Sequence, residues 1–196
     1  MTTHVQAGQS APADEPTDLT GLFTAAYRAY SPSVRGYLRA RGVDDPDSAA
    51  HDVFLALYTR MAPEDGDRGP GARPRLTGGL DGAKALAFTI AHGRAVDHHR
   101  RRSRTPHLVP HEADEDPRRA PLTPEDEALE ASGVVALLGG LADDHREVLL
   151  LRIVADLSIE QTAAIMERST GAVKQLQRRA LTALRSHALT SELSTP

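Results

Sequence analysis

The sequence predicts an all-α protein: two small helical domains joined by a flexible acidic linker, the second containing a helix-turn-helix. Apolar residues recur at spacings of three and four along most of the 196 residues, which is the period of an amphipathic helix. No segment alternates apolar and polar residues strongly enough to predict a strand. We divide the chain into a disordered tail (1–16), a first domain (17–104), a linker (105–123) and a second domain (124–190).

The first domain begins with three helix patterns. An apolar stripe over residues 19–30 predicts the first helix, and Ser31-Pro32 is expected to interrupt it because proline lacks a backbone donor. A short second helix then ends near Gly42. Asp45-Pro46 predicts an N-cap followed by proline at the first helical position, and the third helix carries its apolar face to Met61.

A glycine-rich loop over residues 62–82 follows, with six glycines and three prolines. Loops of this length in compact domains are usually functional or disordered. The helix pattern resumes at Ala83 and ends in a basic run, with five arginines between Arg94 and Arg104. Arginines in this density can follow the phosphates of a nucleic-acid strand, although a solvated helix end is the simpler alternative.

The linker and the start of the second domain are acidic. The linker has four prolines and no apolar periodicity, so we expect an open chain that proteases cut first and two modules that fold separately. Thr123-Pro124 predicts the next helix start, and Gly139-Gly140 ends that helix. A further helix is expected to carry an apolar face from Val148 to Leu157.

The stretch Leu157–Leu184 predicts a helix-turn-helix, a motif whose second helix can enter the major groove of DNA. Ser158 and Gln161 form a capping-box pattern at the start of a short helix. A polar break follows, after which Ser169 or Thr170 can cap a second, longer helix.

The candidate DNA contacts lie on the outward face of that second helix. Val173 and Leu176 are expected to pack back on the first helix, which turns the polar residues outward. Hydroxyl, amide and basic side chains bond phosphates and base edges. The candidates are Ser169, Thr170, Lys174, Gln175, Arg178 and Arg179. The segment is net basic although the whole chain carries −4, and an ordinary hairpin with a solvated face is the alternative.

Composition excludes several classes of function. The chain has no cysteine, so it has no disulfide, cysteine zinc site or thiol nucleophile. The first residues lack the basic and apolar regions of a signal peptide, and no apolar run is long enough to span a bilayer. We expect a soluble, cytoplasmic protein without membrane insertion, metal or cofactor.

One tripeptide suggests an enzyme. Asp97-His98-His99 matches the DHH motif of metal-dependent phosphoesterases. A two-metal site needs several separated ligands, whereas consecutive residues of a helix point in different directions. We therefore expect no catalytic residues and no enzymatic activity.

The whole arrangement resembles the extracytoplasmic-function (ECF) group of bacterial RNA polymerase sigma factors over roughly residues 19–187. The most specific part looks like region 4 of the family, HREVLLLRIVADLSIEQTAAIMERSTGAVKQLQRRALTALR. DSAAHDVFLALYTR looks like region 2.2, and LAFTIAHGRAVDHHRR looks like regions 2.3 and 2.4. Leu86 stands where many members carry tryptophan, and His92-Gly93 replaces a common Arg-Asn pair.

The resemblance implies binding to core RNA polymerase and to promoter DNA. The helix-turn-helix would read the −35 element as duplex, and the first domain would hold the melting −10 element. The residues implied for the −10 element are Arg94, Asp97, His98, Arg100 and Arg101. Those implied for polymerase binding are Asp52, Leu55 and Ala56.

Two further readings concern partners. A stand-alone helix-turn-helix regulator that binds DNA without polymerase is the alternative function, and co-purification with core polymerase would discriminate the two. Many members of the ECF group are held inactive by an anti-sigma factor, so such a partner is a further expectation of the resemblance.

Overall fold

The computed structural model describes residues 18–62, 76–104 and 138–193. Within these ranges the chain is helical and contains no strand, which confirms the predicted all-α class. The elements are α1 (Leu19–Ala40), α2 (Pro46–Met61), α3 (Gly79–Arg104), α4 (Asp143–Leu149), a π-helical turn (Leu150–Val154), α5 (Ile159–Ile165) and α6 (Thr170–Leu193). We call α1–α3 the first module and α4–α6 with the π-helical turn the second module.

α1 is a single helix, so the predicted interruption at Ser31-Pro32 is wrong. Proline 32 lies inside α1, which begins where the Asp18 carboxylate accepts a 2.7 Å hydrogen bond from the Gly21 amide. Apolar residues on both sides of the proline, such as Leu22 and Leu38, are buried in one core. Their shared burial outweighs the cost of about 3 kcal/mol for a proline within a helix.

The starts of α2 and α3 follow local chemistry. The Asp45 carboxylate caps α2 by accepting from the Ser48 amide at 2.9 Å, and Pro46 takes the first helical position as predicted. α3 begins at Gly79, four residues before the predicted Ala83. Gly82 permits this start, because a β-carbon there would lie 2.3 Å from the Thr77 carbonyl oxygen.

The three helices of the first module enclose an apolar core. Tyr37 of α1 lies edge-on to Phe88 of α3, with ring centroids 5.7 Å apart, and both side chains are fully buried. Leu57 and Met61 close the core from α2. The opposite side of α2 stays exposed, which leaves it free to carry function.

The second module is shorter and contains a π-helical turn. The helix predicted from Val148 to Leu157 ends at Val154, where Asp156 turns the chain with φ of +47°. Arg146 holds the preceding turn: its guanidinium donates to the carbonyls of Leu138, Gly139 and Leu141 at 3.0, 2.7 and 3.2 Å.

Several expectations concern residues outside the described ranges. They are the tail 1–16, most of the 62–82 loop, the linker 105–123 and the helix predicted after Thr123-Pro124. None of the described helices is long and apolar enough to cross a membrane.

Candidate nucleic-acid interface

The helix-turn-helix forms as the sequence predicts. The Ser158 hydroxyl accepts from the Gln161 amide at 3.1 Å, and the Gln161 side chain accepts from the Ser158 amide at 2.8 Å, which completes the capping box. The Ser169 hydroxyl accepts from the Ala172 amide at 3.2 Å and so caps α6. Between the helices, Glu167 makes the turn with φ of +52°, a left-handed conformation that side chains rarely adopt.

Small and branched residues join the two helices. Val173 and Ala180 on α6 are completely buried, and Ala163 on α5 is almost so. Leu176 is only partly buried, so it covers the edge of this core while Val173 fills the centre. The packing fixes the rotation of α6 and thereby the direction of its polar face.

All six candidate −35 residues are exposed. Ser169 and Thr170 stand at the start of α6, Lys174 and Gln175 follow one turn later, and Arg178 and Arg179 follow after another turn. Recognition helices contact base edges with their N-terminal residues. The exposed hydroxyl, amide and guanidinium groups therefore lie where a major groove can receive them.

The basic end of α3 is a second candidate surface. Arg94, Asp97, Arg100 and Arg101 are exposed there, and His98 is partly covered. Asp44 lies against this end: its carboxylate is 3.6 Å from the His98 Nε2 and accepts a 3.0 Å hydrogen bond from Arg102. The positive charge of this helix end is thus partly neutralised from the α1–α2 loop.

The candidate −10 residues divide between two depressions. Arg94 lines an open groove of about 320 Å³ together with Asp52, Leu55 and Ala56, the residues implied for polymerase binding. Arg100 lines a different cleft of about 350 Å³, where Arg41 and Asp143 also lie. Arg94 and Arg100 therefore face different surroundings, although both are exposed on α3.

The groove on α2 combines an exposed apolar side chain with charged neighbours. Leu55 is 59% exposed, one of the few large apolar side chains of the described residues that remain open to solvent. Asp52 and Arg60 flank it with opposite charges. Single exposed apolar side chains are common on protein surfaces, and this leucine is open to contact with another protein.

The three residues of the DHH motif diverge. His99 donates through Nε2 to the Arg41 carbonyl at 2.7 Å, His98 turns toward Asp44, and Asp97 is exposed. Across the described residues, no three His, Cys, Asp or Glu side chains stand close enough together to hold a metal ion. The motif therefore has no metal-site geometry.

Sequence reasoning missed a buried charged cluster between the modules. Glu147 of α4 accepts a 2.6 Å hydrogen bond from the Tyr37 hydroxyl and a 2.9 Å hydrogen bond from His92 Nδ1. Arg41 Nε lies 2.9 Å from the second carboxylate oxygen, an ion pair not aligned as a hydrogen bond. We call Tyr37, Arg41 and His92 the cradle of Glu147. The sequence offered one signal of this cluster: Glu147 stands at the start of an apolar run that is expected to be buried.

The cradle keeps the carboxylate ionised. Burial alone would raise the pKa of Glu147, but the His92 hydrogen bond, the Arg41 charge and the Tyr37 hydrogen bond together lower it below its usual range. Burial and the Glu147 charge raise the pKa of Tyr37 well above its usual value, so the hydroxyl remains a donor.

A second polar contact lies between α3 and the turn before α5. The Lys84 ammonium donates to the Asp156 carbonyl at 2.7 Å and lies 3.4 Å from the carboxylate of the same residue. Lys84 also lies 5.8 Å from the centre of the Tyr30 ring, on its face. The modules are thus joined by polar contacts at two places.

Comparison with known families identifies the second module. Region 4 of sigma-70 matches residues 137–186, which contain α4, α5 and most of α6. On this match and on its relatives, the chain belongs to the sigma-70 family. Its relatives place it in the ECF group, which confirms the resemblance found in the sequence.

Two relatives are informative. The ECF RNA polymerase sigma factor SigD of Mycobacterium tuberculosis (strain ATCC 25618 / H37Rv) is 37% identical over 142 residues, which cover 71% of this chain and 61% of that protein. ShbA of Streptomyces griseus subsp. griseus, also an ECF RNA polymerase sigma factor, is 36% identical over 108 residues, which cover 53% of this chain and 56% of ShbA. The chain therefore spans about three fifths of the length of the SigD proteins that it matches.

Two solved structures share the fold. CnrH, in complex with the cytosolic domain of CnrY, superposes with a TM-score of 0.54 at 20% identity and covers 88% of this chain and 89% of that one. The sigma factor RpoE from Bartonella quintana, in complex with the anti-sigma factor NepR, gives 0.56 at 18% identity, covering 85% and 96%. Both likenesses extend over the two modules, beyond region 4 alone.

Proposed function

We propose that this protein is a sigma factor that binds core RNA polymerase and directs promoter-specific initiation by recognising −35 and −10 elements. The observation that carries the proposal is α6, whose six candidate residues are all exposed on a helix fixed by a buried Val173 and Ala180. In this role Arg178, Arg179, Lys174 and Gln175 meet the major groove of the −35 element.

The first module supplies the other two contacts. Arg100 and Arg101 follow the phosphates of the melted −10 strand, with Asp97 and His98 beside them. The groove around Leu55 receives a helical element of core polymerase, with Asp52 and Ala56 at its sides. Arg94 lines that same groove, so it serves the polymerase contact as well as the strand.

In this proposal the polymerase catalyses RNA synthesis. The protein itself is not an enzyme, takes no cofactor, and works in the cytoplasm, where promoter DNA lies. A stand-alone helix-turn-helix regulator is the less favoured function, because it would leave the exposed leucine and the charged rim of the α2 groove without a role.

An anti-sigma factor is a further proposed partner. The structural neighbours CnrH and RpoE are each described in complex with another protein, CnrY and the anti-sigma factor NepR respectively. We propose that a protein of that class also binds this chain. Its test is purification of the tagged protein from its own host, in which the copurifying chain must compete with core polymerase for binding.

Run-off transcription tests the main proposal. Purified core polymerase is combined with the protein on a library of genomic fragments, and start sites are mapped. The expected result is a set of transcripts that require the protein and share upstream elements. The matched control replaces the −35 sequence of a responding fragment by a shuffled one, which should remove the transcript. Initiation no better than with core polymerase alone would refute the proposal.

A further inference from the structure

The turn before α6 presents a basic side chain that is not among the candidate DNA contacts. Arg168 directly precedes Ser169, the cap of α6, and is exposed. Its amide donates to the Ala163 carbonyl at 2.9 Å, which together with the left-handed Glu167 ends α5 in a Schellman motif. The backbone of Arg168 is therefore fixed relative to both helices of the helix-turn-helix.

The side chain of Arg168 is fixed as well. Its guanidinium donates through Nη2 to the carboxylate of Asp144 on α4, which stands 24 residues earlier in the chain. A guanidinium has several N–H donors in a rigid fork, and the Arg168 side chain is still 43% exposed. Its remaining donors can therefore bind a second anion while Asp144 holds the group in place.

We propose that Arg168 binds a backbone phosphate at the edge of the −35 element, and that Asp144 is the positioning residue that holds its guanidinium there. This inference deepens the proposed function and rests on it for its consequence at promoters. Phosphate contacts fix the register and orientation of a protein on a duplex without carrying sequence information. Arg168 thereby sets the orientation in which α6 presents Lys174 and Gln175 to the bases.

The position of Arg168 suits a phosphate better than a base. It stands before the first turn of α6, whereas base edges are contacted by the N-terminal residues of a recognition helix itself. The planar fork of arginine matches two phosphate oxygens at once. Because Asp144 already restricts the rotamers of Arg168, less side-chain entropy is lost when the phosphate binds.

Asp144 distinguishes this role from simpler ones by the direction of its effect. A carboxylate near DNA repels phosphates, so its removal alone should strengthen binding. An exposed ion pair adds little to folding stability, so a purely structural pair predicts no loss of affinity. If Asp144 positions Arg168, removal of Asp144 should instead weaken binding.

Fluorescence anisotropy of the full-length chain, alone and with core polymerase, measures affinity for a cognate and a shuffled −35 duplex at several salt concentrations. Arg168→Ala should weaken binding to both duplexes by a similar factor, about fivefold, and reduce the salt slope by about one. Asp144→Ala should weaken both about threefold, because the free side chain must then be ordered on binding. Asp144→Glu should recover most of that loss.

Asp143→Ala is the matched control. Asp143 is an exposed acid in the same first turn of α4, and its carboxylate lies 3.5 Å from Arg146. This variant should bind both duplexes at least as tightly as the unsubstituted protein. The double variant Arg168→Ala with Asp144→Ala should bind no more weakly than Arg168→Ala alone, since Asp144 acts through Arg168. Circular dichroism checks that each variant keeps its helices.

Two results would overturn the proposal. Unchanged affinity in Arg168→Ala, or a loss confined to the cognate duplex, would remove the phosphate contact. Unchanged or stronger binding by Asp144→Ala would remove the positioning role. Failure of the unsubstituted protein to bind either duplex, alone or with core polymerase, would count against both.

Transcription separates this inference from the function on which it rests. If the unsubstituted protein supports no promoter-specific transcript, the proposed function fails. A phosphate contact is independent of sequence, so the salt slopes on any duplex still decide the role of Arg168. If transcripts form but Arg168→Ala keeps its affinity and salt slope, the contact is refuted and the proposed function stands.

Discussion

The substitution Arg178→Ala tests whether Arg178 contacts a base of the −35 element or only the phosphates. Arg178 is the ninth residue of α6 and is exposed, so its removal leaves the core around Val173 intact. A bidentate contact with a base is worth about 1–3 kcal/mol, which corresponds to a roughly 5- to 150-fold weaker affinity for the −35 duplex. The change in unfolding free energy should stay within about 0.5 kcal/mol, as for other exposed substitutions.

Arg185→Ala is the matched control for this experiment. Arg185 is the same residue type, exposed on the same helix seven residues later, which places it roughly 10 Å farther from the N-terminus of α6. It lies beyond the N-terminal part of the helix that contacts base edges in recognition helices. We therefore expect Arg185→Ala to retain nearly all of the affinity.

Fluorescence anisotropy on a cognate and a shuffled −35 duplex, at several salt concentrations, measures both variants. A base contact weakens only the cognate duplex, whereas a phosphate contact weakens both and reduces the salt slope by about one. If Arg178→Ala and Arg185→Ala bind the cognate duplex equally well, Arg178 does not contact the −35 element. The DNA-binding surface must then be assigned to other residues.

Three further outcomes are expected. Leu55→Arg should abolish binding to core polymerase in gel filtration with the helical content unchanged, since Leu55 is 59% exposed. Arg100→Ala combined with Arg101→Ala should leave that binding near normal but reduce permanganate reactivity of the −10 region, and the difference from the unsubstituted protein should narrow at higher salt because fewer phosphate contacts give a smaller salt slope. The lowered pKa of Glu147 makes its contribution to the free energy of unfolding fully present above about pH 4.3, and that contribution should be lost as pH falls through the lowered pKa. Denaturant unfolding at several pH values should report that loss, and Glu147→Gln should not show it.

Local signals in the sequence were the reliable ones. The Ser158–Gln161 capping box and the Asp45 cap depend on atoms within three residues of each other, so the pattern already contains the interaction. The exposed face of α6 followed from the burial of Val173, which is also a matter of helical spacing. Whether those exposed residues contact DNA stays a prediction.

The predicted interruption of α1 at Pro32 is wrong because the rule for proline considers only the local backbone, whereas tertiary packing keeps the helix continuous. The rule concerns one lost hydrogen bond and a ring clash. The helix continues because Leu22 and Ala26 before the proline, and Val34 and Leu38 after it, are all buried in the same core. The number of buried apolar side chains on either side depends on α2 and α3, which the local pattern does not include.

The cradle could not be found from the sequence for a similar reason. Glu147 lies 110 residues from Tyr37 and 55 from His92, and no periodicity relates positions so far apart. Its neighbours Val148 to Leu151 marked a buried helix, and a charged residue on the buried face of such a helix needs a partner. The pattern could indicate that a partner exists but not which residues provide it.

The contact between the modules combines apolar and polar parts. Buried apolar side chains of both modules belong to one core cluster, and the Glu147 cradle and the contact of Lys84 with Asp156 add polar interactions. The buried carboxylate of Glu147 is stable only because its cradle replaces the hydration that burial removes, so the loss of one partner leaves an uncompensated buried charge on the other. Leucine at position 147 would leave the Arg41 guanidinium buried without that carboxylate. We therefore expect Glu147→Leu to lower the free energy of unfolding in denaturant titrations, unless the cradle is made apolar as well.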